Sequence, residues 1–174
     1  TILSSCASRQ LEEVTFRRTV IPVQELFESA GKYFKKATRN RPEKIVLQME
    51  PADARVVGDV NQLRFLLENL IDEALTLREE GVLHLQAFPE QDYVRFSFTD
   101  RRREKSADEL HQLFYPNLVR MTAGEKGVLS GTEYLICKQI IRDHDEFAGR
   151  RGCRINAEPA AEGGFTVYFT VPRR

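Results

Sequence analysis

The sequence predicts an α+β domain, a two-layer α/β sandwich in which a mixed, mostly antiparallel sheet carries its helices on one face. Three observations lead there. Residues from Asp59 onward form a long amphipathic helix, the strands arrive mostly as hairpins, and helical segments lie between the hairpins rather than alternating with every strand. The chain's 174 residues fit one ordinary domain and suffice to bury a proper core.

Along the chain, Phe16 to Ile21 alternates as a strand, and Pro22 opens a helix over Val23 to Ala37, with Leu26, Phe27, Ala30 and Phe34 at helical spacing. After the break at Asn40 to Pro42, Ile45, Leu47 and Met49 alternate with Val46 and Gln48, and Arg55 to Val57 offers a short partner strand. Asp59 with Gln62 forms a capping pair. The helix it starts carries Leu63, Leu66, Leu67, Leu70, Ile71, Ala74 and Leu77 on one face, and Gly81 is expected to end it. Val82 to Phe88 and Tyr93 to Thr99 read as a hairpin across Pro89 to Asp92. Ser106 with Glu109 is a second capping box before a short helix through Leu110 and Leu113, and Tyr115 to Ser130 reads as a loop. A further helix spans about Gly131 to Phe147. The chain closes with strands over Cys153 to Glu158 and Phe165 to Val171, split by Gly163 and Gly164. Residues 1–15 read as the end of an upstream linker or dimerisation helix, leaving 16–174 as the domain proper.

Composition narrows function mainly by exclusion. Lys plus Arg equals Asp plus Glu at 26 each, so no overall charge announces nucleic acid, membrane or a polyanionic substrate. The three cysteines, Cys6, Cys137 and Cys153, are too far apart for a close-spaced metal cluster, and Cys137 and Cys153 read as small core residues. No Ser or Cys stands with a credible His and acid set, so no catalytic nucleophile is assigned. No apolar run approaches a membrane span. The basic clusters Arg101 to Arg103 with Lys105, and Arg150, Arg151 and Arg154, read as solvated loop ends or protein-recognition surfaces, not as a nucleic-acid interface.

The string GDVNQLRFLLENLIDEAL, starting at Gly58, resembles the helix of sensor histidine kinases in which an Asp opens the helix and an Asn-Leu-x-x-Asn-Ala motif follows; Asn69, Leu70 and Ala74 match. The resemblance continues in order. VRFSFTD ends in Asp100 where the family has its adenine-binding Asp, and LFYP at Leu113 to Pro116 is similar to its Phe-x-x-Phe region. GTEYLICKQIIRDHD is similar to its Gly-rich loop and following helix, and GCRINAEPAAEGGFTVYFTVP to its closing hairpin. It covers about Phe16 to Pro172. It implies a Bergerat-type ATPase fold of the gyrase and MutL class, and a nucleotide pocket, here vestigial, at Asn69, Glu73, Asp100, Gly131 and Thr132.

The departures fall in that pocket. The family's second Asn, which holds Mg²⁺ against the phosphates, is Glu73, so any metal ligand is Glu73 and only if Mg²⁺ binds. The Asp-x-Gly-x-Gly motif has Arg102 and Glu104 in its glycine positions, where side chains are expected to crowd the pocket wall. In the third motif Gly131 remains while Glu133 and Leu135 stand at later positions, and Glu133 in the first helical turn opposes a phosphate there. His84, His111 and His144 lie outside any upstream acceptor helix.

Three readings follow. In the first, a degenerate histidine-kinase ATPase-like domain with weak or no ATP binding acts as a regulatory or protein-interaction module of a two-component signalling protein. Its partners are then other domains of the parent or a separate protein, and it has no cofactor and no nucleic acid. In the second, a divergent active kinase binds Mg-ATP through Asn69, Glu73 and Asp100 and phosphorylates a His in an upstream segment. The third is an inert structural or dimerisation domain. The resemblance implies a cytoplasmic domain and is compatible with a parent that is anchored at the inner membrane and paired as a homodimer.

Overall fold

Alternating apolar side chains over residues 94–98 and 165–171 put one face of two long strands into the core, and the remaining elements assemble on that face. The computed structural model describes residues 15–115 and 132–174. In chain order the elements are β1 (Thr19–Pro22), α1 (Val23–Thr38), β2 (Ile45–Glu50), β3 (Arg55–Gly58), α2 (Val60–Leu75) and β4 (Gly81–Pro89). They continue with β5 (Tyr93–Asp100), α3 (Ala107–His111), α4 (Thr132–Phe147), β6 (Ile155–Pro159) and β7 (Phe165–Pro172). A five-stranded sheet has the order β2-β4-β5-β7-β6, with β2 parallel to β4 and every other pair antiparallel. This is the mixed α+β sandwich of Bergerat ATPases.

The inward faces of β4, β5 and β7 supply Leu83, Leu85, Phe96, Phe169 and Val171 to the core, and α1, α2 and α4 cover them with Phe27, Leu66, Leu67, Leu70 and Ile141. The rings of Phe96 and Phe169 stack at 4.8 Å between centroids, and Phe27 packs against Phe96 at 6.2 Å. On the opposite face Thr99 and Thr166 join hydroxyls across the strands at 2.7 Å. Among the described residues no helix is long and apolar enough to cross a membrane.

Three sequence expectations need correction. The strand Arg55–Gly58 does not pair with β2; it pairs antiparallel with β1 in a separate two-stranded ribbon, Val56 opposite Ile21, and both side chains are buried. The long helix ends at Leu75, not at Gly81, because Thr76 Oγ1 and the side chains of Arg102 and Arg103 take its last carbonyls, and Gly81 instead begins β4. The cap of α2 is not reciprocal. Asp59 accepts from the backbone N–H groups of Asn61 and Gln62, while its own N–H donates to His144 Nε2 at 3.1 Å. Gly131, the expected upstream helix except Thr15, and the expected loop except Tyr115 all lie outside the described residues.

Asp59 ties three segments together. Its second oxygen accepts from Arg17 N at 3.0 Å, and Phe16 stands edge-on to the His144 ring at 5.0 Å. His144 is fully buried, burial holds its pKa below the usual imidazole range, and its Nδ1 donates to Ile140 O at 2.8 Å, leaving Nε2 as the acceptor. Asp59→Ala is expected to cost about 1–2 kcal/mol in urea unfolding, since it removes the helix cap together with the Arg17 tie.

Candidate nucleotide site

The site stands at the ends of β5 and β7, against the C-terminal half of α2 and the first turn of α4. Asn69 and Glu73 lie one helical turn apart on α2, and both are buried despite being polar. Asn69 Nδ2 donates back to Phe65 O in its own helix at 2.7 Å. Asp100, the last residue of β5, is 2% exposed. Thr132 opens α4 and is exposed.

Asp100 is held by the residue two positions after it. Arg102 Nε donates to Asp100 Oδ1 at 3.0 Å and Arg102 Nη2 to Asp100 Oδ2 at 2.9 Å, a two-pronged ion pair in which each side chain is 3% exposed. The rest of the guanidinium binds carbonyls at and beyond the end of α2: Ala74 O at 2.6 Å, Leu77 O at 3.0 Å and Glu79 O at 2.9 Å. A cation here also faces the negative end of the α2 dipole. Gly81 makes room for it: a Cβ there would sit 2.6 Å from Arg102 Cγ.

Arg103 closes the other side. Its Nη2 donates to Thr76 Oγ1 at 2.8 Å, its Nη1 lies 3.8 Å from Glu73 Oε1, and its buried Nε has no hydrogen-bond partner among the described residues. Arg103 lines a cavity of about 10 Å³ together with Leu70, Ala74, Phe98, Asp100, Tyr134, Phe165 and Val167. That is about the space of one water-sized sphere and far below the roughly 300 Å³ at which ligand pockets begin. Tyr134 is buried and packs edge-on against Phe114 at 5.9 Å.

Glu104 departs from the sequence expectation. Its Oε1 accepts from Gly164 N at 3.0 Å, so the side chain ties the β6–β7 turn and does not crowd the pocket. That turn needs its glycine. Gly164 has φ +79°, and a Cβ there would lie 2.1 Å from Asp100 O. Arg102 likewise turns away from the cavity lining, onto Asp100 and the end of α2, and the cavity is narrowed by Arg103 and Tyr134, which the sequence does not place there.

Glu73 and Glu133 meet across α2 and α4. Burial, and then a hydrogen bond shared with Glu133, push the Glu73 carboxyl up to about 7, against the pull of Arg103. A hydrogen bond between two carboxyls needs a proton on one of them. Among the described residues no group of three or more His, Cys, Asp or Glu is placed to hold a metal ion.

The family model for the histidine kinase-, DNA gyrase B- and HSP90-like ATPases matches residues 58–174. No curated protein sequence matches the chain. Among solved structures, the catalytic domain of histidine kinase ThkA is 22% identical with a TM-score of 0.70, over 90% of this chain and 98% of that one. The mycobacterial sensor histidine kinase MprB is 18% identical, TM-score 0.64, over 92% and 99%. Acinetobacter baumannii histidine kinase AdeS is 13% identical, TM-score 0.66, over 97% and 79%. ThkA has also been solved with the response regulator TrrA, and ShkA with AMPPNP.

The raised Glu73 carboxyl makes stability depend on pH. The folded state holds its proton more tightly than the unfolded chain, so this contribution is complete below about 4.5 and is lost as pH rises through about 7. Urea melts between these values should show stability falling with pH, by up to about 1.4 kcal/mol per pH unit; Glu73→Gln should flatten that slope and be the more stable protein in alkaline buffer.

Proposed function

Because the chain belongs to the histidine kinase-, DNA gyrase B- and HSP90-like ATPases, we propose that it serves a two-component signalling protein as a histidine-kinase-type ATPase domain with a self-closed nucleotide pocket. It then works as a regulatory or partner-binding module with weak or no ATP binding. The observation that carries this reading is the two-pronged grip of Arg102 on Asp100.

Adenine recognition in this class, as the resemblance implies it, needs a carboxylate free to accept hydrogen bonds from the base. Here both Asp100 oxygens already accept from Arg102, and the adjoining cavity of about 10 Å³ admits no base. The metal position fits no better. Glu73 shares a hydrogen bond with Glu133 and faces Arg103, an arrangement that favours a proton over a divalent cation. Mg-ATP does not fit these residues as they are arranged. A protein partner is the natural output of such a module. The ThkA complex with TrrA supports a response regulator, or another domain of the parent, as that partner.

A second reading, the divergent active kinase, is favoured by a different observation: Asn69, Glu73 and Asp100 all remain buried at one site, in the order the family uses. Under it, Arg102 and Arg103 swing out, Asp100 meets the base, and Asn69 with Glu73 faces Mg²⁺ and phosphate. The ShkA structure with AMPPNP lends it support.

Titration calorimetry separates the two. The wild type should give no saturable heat with ATP and Mg²⁺ at millimolar nucleotide, whereas Glu73→Asn with Arg102→Gly and Arg103→Ala should gain ATP-dependent thermal stabilisation. Mg²⁺-dependent binding by the wild type would favour the active kinase.

A further inference from the structure

The closed pocket occupies one end of the sheet, and a second feature of different chemistry occupies the other. β5 and β7 run antiparallel, with Asp100 opposite Phe165 at the pocket end and Tyr93 opposite Pro172 at the far end. At the rise of an antiparallel strand the two ends are roughly 24 Å apart.

The far end gathers arginines from four parts of the chain. Arg174 N donates to Arg55 O at 3.0 Å, which brings the end of β7 beside the start of β3. Arg173 N donates to Asp92 O, and the Asp92 carboxylate in turn lies 3.5 Å from Arg150 Nη1. Arg18 lies over Gly149, where an added Cβ would come within 2.9 Å of its Nη1. Arg151 completes the set, and all six of these side chains are exposed.

An open groove of about 430 Å³ runs through this face, lined by Asp53, Ala54, Arg55, Arg173 and Arg174. Three guanidiniums face one carboxylate there. Asp92 and Asp145 are already engaged by Arg150 and Arg151, whereas Arg18, Arg55 and Arg174 make no salt bridge among the described residues. The six cations include no lysine. Guanidinium is planar, weakly hydrated and forked, and it suits bidentate capture of carboxylates better than mere solvation.

We propose that this arginine face is a docking surface for an acidic segment of a partner protein, one presenting closely spaced Asp and Glu side chains. Charge complementarity selects the occupant, because the groove sets the three guanidiniums of Arg55, Arg173 and Arg174 against the single carboxylate of Asp53. The observations favour carboxylates over nucleic acid. Asp53, Asp92 and Asp145 are interspersed among the arginines and oppose a continuous phosphate backbone. The nearby aromatic groups are engaged within the domain: Arg95 lies over the Phe88 ring at 5.0 Å, and the Tyr93 hydroxyl donates to Arg151 O. The surface is independent of whether the nucleotide pocket opens, since the two lie at opposite ends of the sheet.

The test uses the folded chain and a short fluorescein-labelled peptide of alternating Glu and Ser, followed by anisotropy at low ionic strength. Saturable binding is expected, fading as salt is added, and weakened about tenfold or more by the triple reversal Arg18→Glu, Arg55→Glu and Arg174→Glu. Arg55→Gln with Arg174→Gln, which removes charge without reversing it, should fall between them, and the melting temperatures of both variants should stay near wild type. Absence of binding, equal binding by the triple variant, or displacement of the peptide by a single-stranded oligothymidylate at lower concentration than by unlabelled peptide would each overturn the proposal.

Discussion

A carboxylate 2% exposed at the end of a central strand has to be neutralised by something, and in this domain Arg102 does it from two residues away. Burying an ion pair this deeply is costly unless every lone pair and proton finds a partner, and the surroundings provide for this. The guanidinium makes five hydrogen bonds, two to Asp100 and three to carbonyls at and beyond the end of α2. Helix α2 therefore stops where it does, Gly81 has to be small, and the loop after β5 is held against the end of α2. The same contacts that terminate the helix occupy both oxygens of Asp100, so Arg102 cannot leave Asp100 without also giving up its helix-end carbonyls.

Arg103 and the Glu73–Glu133 pair extend this network to α4. Arg103 reaches Glu73 and Thr76, and Glu73 reaches Glu133 on the first turn of α4. The far end of α4 carries His144, which accepts from the Asp59 backbone where the chain enters the domain through Phe16 and Arg17. One helix thus contacts both the closed pocket and the entry segment. Hydrogen bonds and ring contacts of the described residues join the site to the entry segment at Phe16 and Arg17.

Much of the fold was legible in the sequence because it depends on periodicity. The run Leu63, Leu66, Leu67, Leu70 and Ile71 determines which side of α2 is buried, and alternation in Phe165, Val167 and Phe169 does the same for β7. Caps were legible where chemistry is local, as in the Ser106–Glu109 box, which is present with both hydrogen bonds. Reciprocal capping by Gln62 was not. His144 takes that role from 85 positions away, and no local pattern encodes it. At the site, the motifs single out Asn69, Glu73 and Asp100, and all three are buried, while the loss of glycine at Arg102 leads to an ion pair with Asp100 and not to a side chain in the cavity lining. The sequence did not distinguish Arg102, which turns onto Asp100, from Glu104, which turns to the Gly164 N–H. The direction in which a long side chain leaves a loop depends on partners brought in by the fold.

The commitment of Asp100 to Arg102 is tested most directly by NMR of the arginine side chains, following the Arg102 Nε–H signal and guanidinium rotation while Mg-ATP is added. A buried two-pronged pair predicts slow rotation, strong protection from solvent exchange, and a signal that does not move at millimolar nucleotide. A freely rotating, rapidly exchanging guanidinium, or an Nε–H signal that shifts saturably with Mg-ATP, would contradict it and return Asp100 to the nucleotide.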